Sequence, residues 1–280
     1  MTGRFKTRKN HCQRYEEIGV REIKEIKELC RLVSTSELFV GLPPGDIEEI
    51  ACRANTLRFW PGDVIHSEDD PIKQVLLLLE GRIKRSQFSK SGQEVVLRLG
   101  VPGEIVDVPV LLPWSRHTSS VMALEACKVL AWEAETFNAT VERLPGLLKN
   151  VQLILESRLA GLMQRFCEAS TKRTSPRLAI GLLDLADRLG ERVDDHIELR
   201  VSQETLGQMT GMTLNSVSRH ISLWKTRGIV KQRRNILEIH SIPLLLRCAD
   251  SVDDSVQGPE LRNDVFVPAT GSSESARRAT

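Results

Sequence analysis

The chain has 280 residues and a nearly balanced charge, with 39 basic and 37 acidic side chains and a net charge of +2. This length predicts two domains with extensions. No apolar run approaches the roughly 20 residues of a membrane span, and the N-terminal residues lack the apolar core of a secretory signal, so we expect a cytoplasmic protein with no membrane partner.

The charge is distributed unevenly along the chain. Residues 1–170 are neutral overall, residues 171–249 carry a net charge of +5, and residues 250–280 carry −3. A basic segment attached to a neutral one fits nucleic-acid binding confined to one module.

The six cysteines are scattered and form no CxxC motif, so we expect reduced thiols and no metal site. They are Cys12, Cys30, Cys52, Cys127, Cys167 and Cys248.

The first 33 residues are expected to form an N-terminal extension. Residues 1–15 are basic and polar, which predicts disorder. From Glu16 to Val33, apolar residues recur at helical spacing, which predicts one helix that serves as a packing element. A short helix from Ile47 to Arg53 is expected to follow.

Residues 34–137 are expected to form a β-roll domain. Glycines punctuate short runs of strand-like sequence, as in a sandwich or barrel. The predicted strands are Val75–Leu79, Arg82–Phe88 and Glu94–Leu99. The run from Gln74 to Glu80 is apolar between its ends, as a fully buried strand would be.

A long helix is predicted from Pro145 to about Cys167, within a segment 138–170 that we interpret as a dimerisation helix. Apolar residues at heptad spacing indicate a short coiled-coil seam, made imperfect by Arg158 and Arg165. The alternative is that this face packs against the chain's own β domain. The expected interface residues are Leu148, Val151, Leu155, Leu159, Leu162 and Phe166.

Residues 171–249 have the pattern of a winged helix-turn-helix. Ser175-Pro176 is expected to break the long helix before a second helix, Arg177 to Leu189, and a strand, Ile197 to Val201. Two helices then flank a turn at Gly211, the first from Gln203 to about Thr210 and the second capped by Thr213 and closed by Gly228. A hairpin with its turn at Arg234-Asn235 would form the wing.

The second of these two helices presents a polar face suited to the major groove. No acidic residue occurs between Thr205 and Leu237, and a patch of one sign suits phosphate contact. The alternative is an ordinary helical hairpin with a solvated face. The predicted DNA-binding residues are Ser202, Gln203, Thr213, Leu214, Asn215, Ser218, Arg219, Lys225, Arg233 and Arg234. Residues 250–280 are predicted to be a disordered acidic tail.

The order of these parts resembles the CRP/FNR family of bacterial transcription regulators over about residues 34–249. The most specific segments are PRLAIGLLDLADRLG, SQETLGQMTGMTLNSVSRHI and RGIVKQRRNILEI. The resemblance implies an α+β fold with an N-terminal, cyclic-nucleotide-binding-like jelly roll, a long dimerisation helix and a C-terminal winged helix-turn-helix. It also implies that the β-roll of residues 34–137 senses an effector, which controls binding of promoter DNA as a homodimer, with RNA polymerase as a partner. The sequence contains no nucleophile–base constellation, phosphate loop or paired carboxylates in a catalytic context, so we expect no enzymatic activity.

The segments that match the family's cyclic-AMP site depart from its pattern. The matching turn carries Val108 where the family has the Glu that holds the ribose, and Leu162 lies where a hydroxyl would contact adenine. The cyclic phosphate needs a cation, which Arg116 offers only one residue away from the matching position. The resemblance therefore implies an effector other than cyclic AMP, in a pocket formed by Gly103, Glu104, Val108, Arg116, His117, Thr118 and Leu162.

Three alternatives remain open for the effector. A conventional cyclic-nucleotide response is one. The iron–sulfur relatives need four thiolates, of which only Cys12 and Cys30 lie near the N-terminus, and haem would require His66 or His117. We expect neither cofactor.

Overall fold

The computed structural model of the chain describes residues 15–16, 29–34, 36–106 and 116–251. The helix predicted from Glu16 to Val33 falls within these residues at two places. Residues 29–33 are helical as predicted, whereas Glu16 lies in a strand, so the predicted start of the helix was wrong. The disorder predicted for residues 1–15 and 250–280 concerns segments that lie almost wholly outside the described part.

The N-terminal half folds as two four-stranded antiparallel sheets, which confirms the predicted β-roll. One sheet has the strand order β1-β2-β8-β4 and the other has the order β3-β7-β5-β6. The strands are β1 (Tyr15–Glu16), β2 (Asn55–Phe59), β3 (Val64–His66), β4 (Gln74–Glu80), β5 (Ile83–Phe88), β6 (Glu94–Gly100), β7 (Ser120–Ala123) and β8 (Cys127–Glu133).

Strand β4 is buried on both faces, which explains its continuous apolar sequence. Leu76 and Leu78 point into the core between the two sheets, where they join Val121 of the opposite sheet. Leu77 and Leu79 point to the other face, beneath a layer of helices. A strand with one solvated face would instead have alternated apolar and polar residues.

The helical layer consists of a 3-10 turn, Glu37–Phe39, with α1 (Pro44–Cys52), α2 (Ala134–Arg143) and the first part of α3 (Pro145–Thr171). Both α1 and α3 begin at a proline, which lacks the N–H that would be unpaired at that position. Trp132 Nε1 donates to the carbonyl of Ile50 at 2.7 Å, and Asn150 Nδ2 donates to that of Leu38 at 2.9 Å. These two bonds fix the layer on the sheet.

The C-terminal part folds as a four-stranded antiparallel sheet, with strand order β11-β12-β10-β9, packed against helices. Leu178, Leu182 and Leu185 are fully buried on one face of its first helix, in a core shared with Trp224. The elements are α4 (Thr174–Leu189), β9 (Glu191–Val193), β10 (His196–Arg200), α5 (Gln203–Thr210), α6 (Leu214–Thr226), β11 (Val230–Arg233), β12 (Ile236–Ile239) and α7 (Ile242–Asp250).

One predicted boundary is wrong. Ser175 and Pro176 do not separate two helices but lie in the first turn of α4, which begins at Thr174. A proline is tolerated there because the N–H groups of the first turn have no intrahelical partner. The break falls at Lys172 and Arg173, whose backbones are extended.

The C-terminal part packs directly on the roll through β6. Val96 and Leu99 of β6 belong to the same apolar cluster as Leu178 of α4. Polar contacts surround this cluster: Gln208 Nε2 donates to Glu94 Oε2 at 3.0 Å, and Arg82 Nη1 donates to the carbonyl of Arg200 at 3.0 Å. The two halves therefore share an interface with an apolar centre and a polar rim.

Candidate nucleic-acid interface and effector cavity

Helices α5 and α6 form the predicted helix-turn-helix. Ser202 caps α5, because its Oγ accepts the backbone N–H of Thr205 at 3.0 Å. Gly211 ends α5 at φ +65°, a left-handed conformation that favours glycine. Gly207 allows the close approach of the turn, since a Cβ there would lie 2.7 Å from the carbonyl oxygen of Met212.

Helix α6 has one buried face and one exposed face. Thr213 caps it by accepting the N–H of Ser216 at 3.2 Å, and Val217 and Trp224 anchor it in the core. Leu214, Asn215, Arg219 and Lys225 are exposed on the opposite side, and Ser218 on the same side is half-buried. The helix ends at Thr226 with Arg227 as its C-cap, and Gly228 follows at φ +68°. The structure thus leaves every candidate base-contacting side chain accessible to a ligand.

Strands β11 and β12 form the predicted wing beside these helices. Lys231, Arg233 and Arg234 are exposed there, and Arg234 takes the turn position at φ 42°. At the base of α5, Gln203 Nε2 donates to Gln232 Oε1 at 3.3 Å. This contact ties the start of the helix-turn-helix to the wing.

An acidic group below the wing was not foreseen. Glu238, one residue beyond the acid-free stretch, is fully buried and pairs with Arg233 Nε at 2.7 Å and with Lys231 Nζ at 3.7 Å. Burial would raise the pKa of Glu238, but a hydrogen bond from His240 and the charges of Arg233 and Lys231 bring the pKa below its usual value. Two of the wing cations are therefore partly neutralised from inside the protein.

The long helix α3 carries the predicted seam as an exposed apolar stripe. Leu155, Leu159, Leu162 and Phe166 are all exposed, and Leu148 is half-buried against the roll. Val151 is only 2% exposed and belongs to the core of the roll, so its prediction as an interface residue was wrong. In a helix of 3.6 residues per turn, Val151 lies on the flank that faces the sheet.

The two arginines that interrupt the heptad pattern have partners in the roll. Arg158 donates to the carbonyl of Ile105, and Arg165 donates to that of Leu97. Burial lowers the pKa of the Arg165 guanidinium. Both arginines thus hold α3 against its own β domain and are not part of the apolar stripe.

Two small adjoining cavities lie between the roll and α3. The larger has a volume of about 30 Å³, roughly the space of one water molecule in the liquid. Arg98, Gly103, Glu104, Ile105 and Arg158 line it, and Arg85 lines the smaller one beside it. A nucleotide-sized ligand would have to displace these side chains to enter.

Glu104 links this cavity to the C-terminal part. It accepts from Arg98 Nη2 at 2.5 Å and from Arg188 Nη2 of α4 at 3.2 Å, both at Oε1. Burial opposes ionisation of this carboxyl, but the two guanidinium groups outweigh it and lower its pKa. Arg188 also donates to the carbonyl of Leu99 at 2.7 Å.

The structure gathers only part of the predicted effector pocket. Gly103 and Glu104 line the cavity, whereas Leu162 lies on the exposed stripe of α3 and Val108 is outside the described residues. The other three predicted residues do not line this cavity and lie instead at the β3 side of the roll. Arg116 donates to the carbonyl of Asp69, His117 is buried in a stack on His66 with ring centroids 3.6 Å apart, and the carbonyl of Thr118 accepts from Gln87.

Arg85, Arg98 and Arg158 are the cavity residues that sequence reasoning missed. Arg85 and Arg98 are cross-strand partners in β5 and β6. The sequence predicts a strand over each of these two arginines. Pairing the two predicted strands in the correct register would have placed both guanidinium groups on one face of the sheet.

Among the residues that the structure describes, two groups of three side chains could hold a metal ion, and neither contains a cysteine. Both involve the sheet of the C-terminal part, and one of them includes Asp195 from the turn between β9 and β10. Within the same residues, no helix combines the length and the apolar character of a membrane span.

Comparisons with known protein families identify both halves. Residues 56–143 match the model of the cyclic nucleotide-binding domain, and residues 176–248 match the model of the Crp-like helix-turn-helix domain.

Two curated relatives cover most of the chain. The transcriptional regulatory protein btr of Bordetella pertussis is 27% identical over 208 residues, 73% of this chain and 85% of that protein. The cyclic AMP receptor protein of Thermus thermophilus is 26% identical over 211 residues, 75% of this chain and 95% of that protein.

Solved structures of low sequence identity share the fold. FixK2 from Bradyrhizobium japonicum aligns with a TM-score of 0.63 at 18% identity, over 71% of this chain and 99% of that one. The c-di-GMP responsive regulator CLP of Xanthomonas campestris aligns with a TM-score of 0.63 at 17% identity, over 71% of this chain and all of that one.

Proposed function

Because the chain belongs to the CRP/FNR family of transcription regulators, we propose that it binds a palindromic site in promoter DNA as a homodimer under the control of a small-molecule effector. The observation that carries this proposal is the exposed face of α6, on which Leu214, Asn215 and Arg219 stand clear of the core beside a basic wing. A helix of this kind fits the major groove, and wing cations suit the flanking phosphates. RNA polymerase is the expected protein partner at the promoter.

Dimerisation would follow from the stripe on α3. The exposed side chains of Leu155, Leu159, Leu162 and Phe166 lie within about one sixth of the helix circumference at 100° per residue, beside the face that packs on the roll. Two such stripes packed around a two-fold axis would bury each other, and two α6 helices would then be related by the same axis. Two-fold symmetry in the protein implies a palindrome in the site, with half-sites about one helical turn apart.

Three side chains of α6 would read the half-site. Arg219 can donate two hydrogen bonds to guanine O6 and N7, the commonest specific contact in the major groove. Asn215 offers one donor and one acceptor, which suits adenine N6 and N7, and Leu214 can contact a thymine methyl. The alternative for Asn215 is a phosphate contact without selectivity.

The effector would be a ligand other than cyclic AMP. Val108 offers no carboxylate to a ribose, and Leu162 offers no hydroxyl to a base. The arginines around the cavity favour an anionic ligand, since Arg98 and Arg158 both border it. Calorimetric titration with cyclic AMP and with cyclic di-GMP separates this proposal from a conventional cyclic-nucleotide response, and an absorption spectrum reveals a haem or iron–sulfur chromophore. A dissociation constant for cyclic AMP in the micromolar range or below would refute the proposal about the effector.

The test of DNA binding is selection from a randomised duplex library, with Arg219→Ala and with Arg192→Ala as a matched control. Arg192 is an exposed arginine on β9, at the far edge of the sheet from the wing. We expect the wild type and Arg192→Ala to select the same palindrome, and Arg219→Ala to lose the guanine. Selection of no sequence by the wild-type protein, with or without candidate effectors, would contradict sequence-specific binding.

A further inference from the structure

Four titratable side chains of the C-terminal sheet share one face. Glu198 of β10 and Glu238 of β12 are directly opposite each other in the antiparallel register. His196 is two residues before Glu198, and His240 is two residues after Glu238, so both histidines project from the same face. The register therefore places two imidazoles beside two carboxylates.

The side-chain atoms of this group converge. His240 Nε2 lies 3.1 Å from Glu238 Oε2, and His196 Nε2 lies 3.5 Å from Glu198 Oε1. One ligand atom from each of His196, Glu198 and Glu238 falls within 4.8 Å of the other two. The two imidazole rings stack with their centroids 4.9 Å apart.

Charge and hydrogen bonding at this place are not fully balanced by the protein. Like charges directly opposite in a sheet repel each other, and one of these two carboxylates, Glu238, has a relative exposure of 0%. The Nε2 atom of His196 is buried without a hydrogen-bond partner among the described residues. Lys231 and Arg233 pair with Glu238 from β11, which lies on the side of β12 away from Glu198.

We propose that His196, Glu198 and Glu238 bind a divalent cation of the zinc class, with His240 as a fourth ligand. Imidazole nitrogen together with carboxylate oxygen is a ligand set that suits Zn²⁺, whereas Mg²⁺ and Ca²⁺ prefer oxygen ligands alone. Zinc bonds of about 2.0–2.2 Å would require these ligand atoms, which now lie within 4.8 Å of one another, to draw closer together. The cation would offset the repulsion between the two carboxylates and give His196 Nε2 a partner.

The site has a consequence for the wing, which rests on the DNA-binding function proposed above. Arg233 and Lys231 now pair with Glu238, although both side chains are more than half exposed. A divalent cation would neutralise Glu238 from the opposite side and leave both wing cations available to phosphate oxygens. Metal binding and DNA binding should therefore favour each other.

The experiment measures zinc binding to the full chain, in the presence of a reducing agent and in the absence of DNA. The variants are His196→Gln and Glu198→Gln, which keep polar side chains of similar size. The control is Glu191→Gln, because Glu191 is the cross-strand neighbour of Glu198 on β9 but belongs to neither group of potential ligands. All four proteins contain the same cysteines, so any zinc bound to thiols contributes equally to each of them. The difference in zinc stoichiometry between the proteins therefore reports binding at the proposed site.

We expect the wild type and Glu191→Gln to bind one more equivalent of Zn²⁺ than His196→Gln and Glu198→Gln. In the wild type, zinc should shift the ¹⁵N resonance of His196 Nε2 and raise the melting temperature by several degrees, since a ligand of the native state stabilises it. Without metal, Glu198→Gln should melt no lower than the wild type, because one of the two opposed charges is gone. Equal stoichiometry in all four proteins, or an unchanged His196 resonance, would overturn the proposal.

A second measurement separates this site from the proposed function. Zinc should tighten DNA binding of the wild type about threefold or more and leave that of Glu198→Gln unchanged. If the protein binds zinc at His196 but binds no specific DNA, the metal site stands and the proposed regulator function is refuted. If the protein binds specific DNA but the substitutions cause no loss of bound zinc, the proposed function stands and the metal site is refuted.

Discussion

The apolar stripe on α3 makes dimerisation the prediction with the largest expected effect. Leu155 and Leu162 are each 47% exposed, so about half of each side chain remains to be buried. Full burial of a leucine contributes about 1.5–3 kcal/mol, so half contributes about 1 kcal/mol. In a two-fold dimer each residue occurs twice, and Leu155→Asp combined with Leu162→Asp removes about 4 kcal/mol in total.

The introduced charges add to this loss. Four carboxylates at an apolar contact would each have to remain solvated or become protonated, at a further cost of several kcal/mol. Since each 1.4 kcal/mol is a factor of ten, the dimer dissociation constant should rise at least a thousandfold. We expect the double variant to be monomeric at micromolar concentration and to lose binding to its operator.

Analytical ultracentrifugation measures the effect directly, and the same helix offers a control. Leu153 is 51% exposed but projects from the far side of α3, about 160° from Leu155 at 100° per residue. Leu153→Asp should therefore leave the dimer intact. An unchanged dimer in the double variant, or equal loss in the control, would refute the assignment of the interface to this stripe.

Three further predictions concern the DNA interface, the interface between the two parts and the helix crossing. Asn215→Glu should restore selection of cytosine at the facing position, because Glu accepts from cytosine N4; identical sequence logos from wild type and variant would show that Asn215 reads no base. The pKa of Glu104 is below its usual value, so its pairing with Arg98 and Arg188 stabilises the fold above about pH 4.5 and loses this effect as the pH falls through the lowered pKa. Urea titrations should therefore show a smaller loss of stability on acidification in Glu104→Gln than in the wild type. Gly207→Val should destabilise the C-terminal part by more than about 2 kcal/mol, because the new side chain would collide with the Met212 carbonyl. Gly45→Val is the control in the same thermal melt, because nothing lies within 4 Å of a Cβ at that position.

The sequence predicted best those features that depend on neighbouring residues. Capping by Ser202 and Thr213, and the apolar spacing of α6, are local, and the structure confirms both helices within a residue or two. The helix boundary predicted at Pro176 was wrong because a proline is equally compatible with the end of one helix and with the first turn of the next. Strand β9 was missed because three residues form too short a pattern to show alternation.

The parts that escaped prediction depend on pairing between distant segments. Arg85 meets Arg98 only through the register of β5 and β6, and the prediction of Val151 as an interface residue failed because heptad spacing does not distinguish a partner helix from the chain's own sheet. Likewise, Glu198 and Glu238 are 40 positions apart in the sequence, and only the pairing of β10 with β12 makes them neighbours.

The contact of Glu104 shows how the cavity and the DNA-binding part can influence each other. Arg98 from the roll and Arg188 from α4 donate to the same oxygen, Oε1. An anion that entered the cavity and drew Arg98 away would leave the carboxylate to Arg188 and strengthen the contact between roll and α4. A ligand that displaced Glu104 itself would remove the acceptor that holds Arg188 and weaken the same contact. The sign of such a response would therefore depend on which of the two side chains an effector engaged. Because α4 shares its core with α6 through Leu178 and Trp224, either change would reach the element that carries the candidate DNA-contacting residues.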